Sequence, residues 1–185
     1  MRLIAITAEQ FISDEPAKIC HLLDNGFCYA HLRKPGGSDD DMRNLIQAIP
    51  PCYHSRLTLA SNLGIFGEFS LGGVHLNNAN LHLKSGFKGV RISKSSHCEA
   101  DLLDLDEFHY SFISPVFSSI SKAGYQAAFS SEDLKRILAT DLRKQKLVAL
   151  GGVTPENLPR LASLGFTSAA MLGAIWQNFD NLKIQ

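Results

Sequence analysis

Short apolar runs alternate with longer amphipathic stretches along the chain, and the two periods predict its elements. Arg2 to Thr7 alternates little and is mostly apolar, as expected of a strand covered on both faces. A helix from Glu15 to Asn25 follows, with Asp14 as its cap, Pro16 in its first turn and Gly26 at its end. Phe27 to Arg33 reads as the second strand, and Ser38 opens a helix that Pro50-Pro51 stops. Leu57–Ala60, Gly73–Leu76, Lys88–Ile92 and His109–Ile113 are strands three to six. Short helices are expected over Asn62–Phe69 and His97–Leu103, and little helix after strand four. A Ser-rich loop precedes one amphipathic helix from Ser131 to Arg143, capped by Ser130. Lys146–Leu150 is strand seven, Thr154-Pro155 opens a helix that ends at Gly165, and Thr167–Leu172 is strand eight before a last helix.

Strands separated by crossover helices pair in parallel, and eight of them predict a closed α/β barrel of the (β/α)8, or TIM, type. At 185 residues the chain is below the usual length for such barrels, so loops and some helices must be minimal. An open flavodoxin-like sheet is the structural alternative. No linker, low-complexity stretch or second domain interrupts the βα alternation, which predicts one domain over residues 1–185.

Composition narrows the function classes. Eighteen basic residues balance eighteen acidic ones, so no global field favours nucleic acid or an anionic membrane. No apolar run approaches membrane-spanning length, and the first residues lack the long apolar core of a signal peptide, so a cytoplasmic location is expected. Cys20, Cys28, Cys52 and Cys98 show no paired spacing and read as buried thiols rather than a disulfide frame or zinc site.

In a parallel barrel chemistry gathers where strands end. Strand two ends with Tyr29, His31 and Arg33 on one face, and strand four ends at His75. Strand five leads into Ser93, Lys94, Ser95, Ser96 and His97. Strand six runs into SPVFSSISKAGY, an array of hydroxyls around Lys122 that suits an anionic ligand such as a phosphate ester. A solvated Ser-rich turn would have the same composition. Gly151-Gly152 and Gly173 follow strands seven and eight, where barrels often bind phosphate through backbone N–H groups. Each glycine alone also fits a plain tight turn. His31 and His75 have the placement for proton transfer, although a structural hydrogen bond is the commoner fate of such a residue. Arg33, aimed into a barrel mouth, needs an anionic partner.

Taken together, HLRKP at 31–35, GGVHL at 72–76, SSHCEAD at 95–101, SPVFSSISKAGY at 114–125 and ALGGVTPENL at 149–158 resemble the thiamine phosphate synthase/TenI family. The resemblance covers Met1 to about Trp176 and implies a (β/α)8 barrel that works in thiamine biosynthesis. Synthases join hydroxymethylpyrimidine diphosphate to a thiazole phosphate, with Mg²⁺ on the diphosphate; TenI-type members aromatise a thiazole carboxylate phosphate. Carried over by position, the resemblance makes Arg33, Ser95 and Lys122 diphosphate-binding residues and places Ser119 and Ser121 against the thiazole. It assigns Gly151, Gly152, Leu172 and Gly173 to the thiazole phosphate, and it puts His31 where synthases carry Gln.

The departures divide the expected site. The family's Mg²⁺-binding aspartates fall on Ser61 and Asn80, and a hard divalent cation prefers carboxylate oxygen. The basic residue expected two beyond Arg33 falls on Pro35, and the His of the TenI branch falls on Pro115. Mg²⁺ is therefore expected only if the chain is a synthase, and without its usual ligands. Three readings stay open: a synthase using Arg33, Ser95 and Lys122 electrostatically, a tautomerase with His31 or His75 as base, and a non-catalytic thiazole-phosphate-binding relative. The expected partners are small phosphorylated thiazole and pyrimidine substrates, and a second copy of the chain is allowed because compact barrels often bury surface in a dimer.

Overall fold

The computed structural model describes residues 1–117 and 129–182. Eight parallel strands close in sequence order: β1 (Arg2–Ile6), β2 (Phe27–Leu32), β3 (Leu57–Leu59), β4 (Gly73–Leu76), β5 (Arg91–Ser96), β6 (Tyr110–Ile113), β7 (Leu147–Ala149) and β8 (Ser168–Met171). The expected (β/α)8 barrel is thus observed, and the open-sheet alternative is excluded. By internal contacts the chain divides into two compact units, Ile4–Ile92 and Met1–Leu3 with Ser93–Gln185.

In the Ile4–Ile92 unit, α1 (Glu15–Asp24) buries Ile19, Leu22 and Leu23 while its other face stays polar. Burial of each such side chain contributes about 1.5–3 kcal/mol. Asp14 does not cap this helix through its side chain. It sits in the left-handed region at φ 58°, and its carbonyl accepts from Lys18 instead. Helix α2 (Asp39–Gln47) does carry a reciprocal cap, in which Ser38 accepts from the Asp41 N–H and Asp41 accepts from Ser38. The helix expected over Asn62–Phe69 is a 3₁₀ turn, Leu63–Glu68. The β2–β3–β4 register sets His31 beside Thr58 and Thr58 beside Gly73.

In the second unit, strand five corrects the sequence reading. It runs from Arg91 to Ser96, with Ser93 to Ser96 paired to Tyr110 to Ile113. Polar residues can occupy this buried strand because each finds a partner: Ser96 Oγ lies 2.7 Å from Ser111 Oγ, and the Lys94 amine meets Asp104. The single helix expected over Ser131–Arg143 is two, α3 (Ser131–Ile137) and α4 (Asp141–Lys146). Thr140 breaks it by turning extended and accepting from the Arg143 N–H, which starts a new helix. Residues 155–164 divide into a 3₁₀ turn, Pro155–Asn157, and α5 (Leu158–Leu164); a four-residue α6 (Gly173–Trp176) follows β8. The four cysteines are free, as expected, but not buried: Cys52 and Cys98 are exposed and Cys20 and Cys28 half-buried. Among the described residues no helix is long and apolar enough to cross a membrane.

Candidate functional site

The end of β2 carries the first group of candidate residues. Arg33 follows the strand, and its Nη1 donates to Glu9 Oε1 at 2.7 Å, with side chains 41% and 46% exposed. The anionic partner that its position calls for is therefore a residue of the β1–α1 loop. Its neighbour Lys34 is wholly buried. Lys34 Nζ donates to the carbonyls of Ala8 and Gln10 at 2.8 and 2.7 Å and to Glu15 Oε1 at 2.6 Å. Burial pushes the Glu15 carboxyl up and the Lys34 amine down, and their mutual contact opposes both shifts.

His31 on β2 and His75 on β4 lie against each other. Their rings meet edge to face with centroids 5.2 Å apart, and they are 1% and 9% exposed. Burial, then the Arg33 charge, lowers His75 to about 3. Burial, then His75 and Arg91, pushes His31 well below the ordinary imidazole value. The Arg91 guanidinium lies over the Tyr29 ring at 3.9 Å. Both imidazoles are thus neutral at physiological pH, and a base with so low a pKa accepts a substrate proton poorly.

Ser61 and Asn80, which replace the carboxylates of the resembled family, are turned to the backbone. Ser61 Oγ accepts from the Lys34 N–H at 2.8 Å, and Asn80 Oδ1 accepts from the Asn77 N–H at 2.7 Å. Neutral oxygens already engaged as acceptors do not fit a hard divalent cation. Among the described residues no group of three or more His, Cys, Asp or Glu side chains could hold a metal ion.

The second group lies in Ser93–Gln185. Gly151 and Gly152 follow β7 with φ of 94° and 63°, a conformation that favours glycine. Gly151 is fixed sterically as well, since a Cβ there would stand 2.7 Å from both Cα and Cβ of Pro115. The turn is tied to the chain after β6 by Val116 N–H to Leu150 O and Phe117 N–H to Gly151 O. Asn157 supports its other side, donating from Nδ2 to Gly152 O at 2.8 Å and accepting the Thr154 N–H. A hollow of about 490 Å³ beside Gly152 is lined by Phe117, Leu134, Asn157 and Arg160 among others. Gly173 is the first residue of α6 and Leu172 precedes it, both half-buried.

Ser95 lies within β5 opposite Phe112, half-buried, rather than in the following loop. In that loop Asp101 accepts the N–H groups of His97 and Cys98, which holds its carboxyl below the usual range, and His97 Nδ1 meets Ser114 O. These are structural contacts. Ser119, Ser121 and Lys122 lie outside the described residues. Glu9, Lys34 and Glu15 did not stand out in the sequence, since Lys34 and Glu15 are 19 residues apart and share no motif. Asn157 was legible only as the third residue after a capping Thr.

The eight-stranded parallel barrel thus carries a left-handed glycine turn after β7 and an arginine after β2. Residues 3–175 match the family model described as thiamine monophosphate synthase, and the chain belongs to that family. Membership makes it a thiamine phosphate synthase-like protein of the transferase class. It is 25% identical over 174 residues to the thiamine-phosphate synthase of Pediococcus pentosaceus, covering 86% of this chain and 80% of that one. The synthase of Photorhabdus laumondii is 26% identical over 178 residues, 91% and 82% covered. The solved thiamine phosphate pyrophosphorylase of Bacteroides thetaiotaomicron superposes with a TM-score of 0.81 at 29% identity, over 98% of this chain and 87% of that one.

Proposed function

We propose that the chain, acting as one domain, couples a pyrimidine-methyl diphosphate to a thiazole phosphate and releases diphosphate, forming thiamine phosphate. The observation that carries this reading over the isomerase alternative is the state of His31 and His75. Buried at 1% and 9% exposure and held neutral far below their ordinary pKa, they are poorly placed to shuttle a ring proton. Coupling asks for no such base. The bond from the pyrimidine methylene to the diphosphate oxygen breaks with its electron pair leaving on oxygen. The thiazole nitrogen then donates its lone pair to the resulting cation.

What the protein supplies is orientation and electrostatics. The Gly151–Gly152 turn offers backbone to the thiazole phosphate, Leu172 and Gly173 complete that role, and Ser119 and Ser121 meet the ring. Arg33, Ser95 and Lys122 stabilise the departing diphosphate, a contribution of several kcal/mol in sites of this kind. Ser61 and Asn80 do not suit Mg²⁺, so no step is assigned to a protein-held metal. On this reading the protein works in the cytoplasm on small phosphorylated substrates, without nucleic-acid or membrane partners, and a homodimer is compatible with it.

The test gives the purified protein both substrates with Mg²⁺ and follows thiamine phosphate by chromatography. Product is expected from the parent and, at rates within several-fold, from His31→Asn and His75→Asn. Isomerisation of a thiazole carboxylate phosphate that is lost in those variants would instead establish the tautomerase. Thermal protection by thiazole phosphate with neither turnover would establish a binding protein.

A further inference from the structure

This inference rests on the reading that Arg33 receives the diphosphate end of a substrate, and it concerns what Arg33 does beforehand. Its guanidinium is held by Glu9 at 2.7 Å. The loop that carries Glu9 is itself clamped. The buried Lys34 ammonium binds the carbonyls of Ala8 and Gln10, the residues on either side of Glu9, and the carboxylate of Glu15 at the start of α1. Gly37 lets this clamp close, because a Cβ there would come within 2.9 Å of the Phe11 ring and 3.1 Å of Lys34 Cβ. Two adjacent basic residues thus divide the work, Lys34 fixing the backbone around Glu9 while Arg33 takes its carboxylate.

A charge count shows the consequence. Lys34 is matched by Glu15, Arg33 is matched by Glu9, and both histidines beneath are neutral. Each of the two adjacent cations at the end of β2 thus already faces a carboxylate, and an arriving anion reaches Arg33 only by displacing Glu9. A singly charged anion offers the guanidinium little that Glu9 does not already give. A diphosphate brings more charge and several oxygens for two-pronged contact, so it can compete.

We propose that Glu9 is an affinity-setting residue, an internal competitor held against Arg33 by the Lys34 clamp, which the diphosphate displaces on entry and which reclaims Arg33 as the product diphosphate leaves. An exposed ion pair of this kind is worth up to about 1 kcal/mol, so removing the competitor should tighten diphosphate binding about threefold to fivefold.

The experiment is calorimetric titration of the full-length protein with inorganic pyrophosphate, without added metal, on the parent, E9Q, R33A and the E9Q/R33A double variant. Glu9 is half exposed, so E9Q should fold normally, and circular dichroism verifies this. The expected result is threefold to fivefold tighter binding by E9Q, with no difference between R33A and the double variant. Unchanged or weaker binding by E9Q overturns the proposal, as does a gain that persists without Arg33 or a lack of binding by both parent and E9Q. The coupling assay on the same preparations keeps the two ideas apart. Tighter pyrophosphate binding by E9Q without turnover would retain the competitor and reject the coupling reaction. In a coupling-competent protein E9Q should also lower the KM for the diphosphate substrate and strengthen product inhibition by pyrophosphate.

Discussion

The strand ends of Ile4–Ile92 present side chains, whereas those that follow β7 and β8 in the other unit present backbone. In the first unit each candidate group is engaged within the protein: Arg33 by Glu9, Lys34 by Glu15 and two carbonyls, Ser61 by the Lys34 N–H, Asn80 by the Asn77 N–H. In the second, Gly151 and Gly152 are left-handed, and Pro115 fills the place of a side chain at Gly151. A site made of side chains can be rewritten one substitution at a time. A site made of backbone geometry cannot, because its determinants are steric. The two therefore fail differently when perturbed.

The largest effect should come from the clamp. Lys34→Met leaves Glu15 buried without its countercharge, and breaking a buried pair in this way costs about 3–5 kcal/mol. Urea unfolding of the variant should show a loss of that order; a loss below about 1 kcal/mol would mean that the pair is not buried in solution. Next is Gly151→Ala, which must adopt a φ of 94° against Pro115. Strain of about 1–3 kcal/mol predicts a drop of roughly tenfold to a hundredfold in affinity for the thiazole phosphate, read by calorimetry. Comparable binding by the alanine variant would show that the turn is not the cradle. Arg33→Ala should weaken the diphosphate substrate by a comparable factor, about 1.5–3 kcal/mol for bonds to a charged group, while thiazole phosphate binding is unchanged. Loss of both together would mean that the halves are not separable.

The last effect, the pH dependence, is absent near neutrality and appears only on acidification. His75 is neutral in the folded state down to about pH 3 but takes up a proton near 6.5 when unfolded, and His31 shifts in the same direction. Their contribution is complete above about pH 6.5 and is lost as pH falls from there towards 3, because the unfolded chain binds the protons first. The slope is about 1.4 kcal/mol per pH unit for each histidine. A His75→Asn variant should show a flatter decline in stability between about pH 6 and 4 than the parent, and identical slopes would place His75 in contact with water.

The division between side chains and backbone also explains what the sequence could and could not show. Eight apolar runs and the glycine pair after β7 are local signals, so the barrel and the backbone turn were legible from spacing alone. Strand five slipped because its last four residues are Ser-Lys-Ser-Ser, and the partners of Ser96 and Lys94, Ser111 and Asp104, come from elsewhere in the chain. The helix after Ser130 looked continuous because an amphipathic pattern does not reveal that Thr140 caps a second start. At the end of β2 the period of two singled out Arg33 and placed Lys34 on the opposite face, and nothing local joins Lys34 to Glu15 or Arg33 to Glu9. Those are tertiary pairings, which residue order does not display.

The most direct test of the account follows both phosphorus pools at once, by ³¹P NMR of the protein with pyrimidine diphosphate, thiazole phosphate and Mg²⁺. The account predicts one thiamine phosphate formed for each diphosphate released. A thiazole phosphate signal that shifts on binding while the pyrimidine diphosphate persists unchanged would contradict it, leaving a phosphate-binding barrel without the coupling reaction.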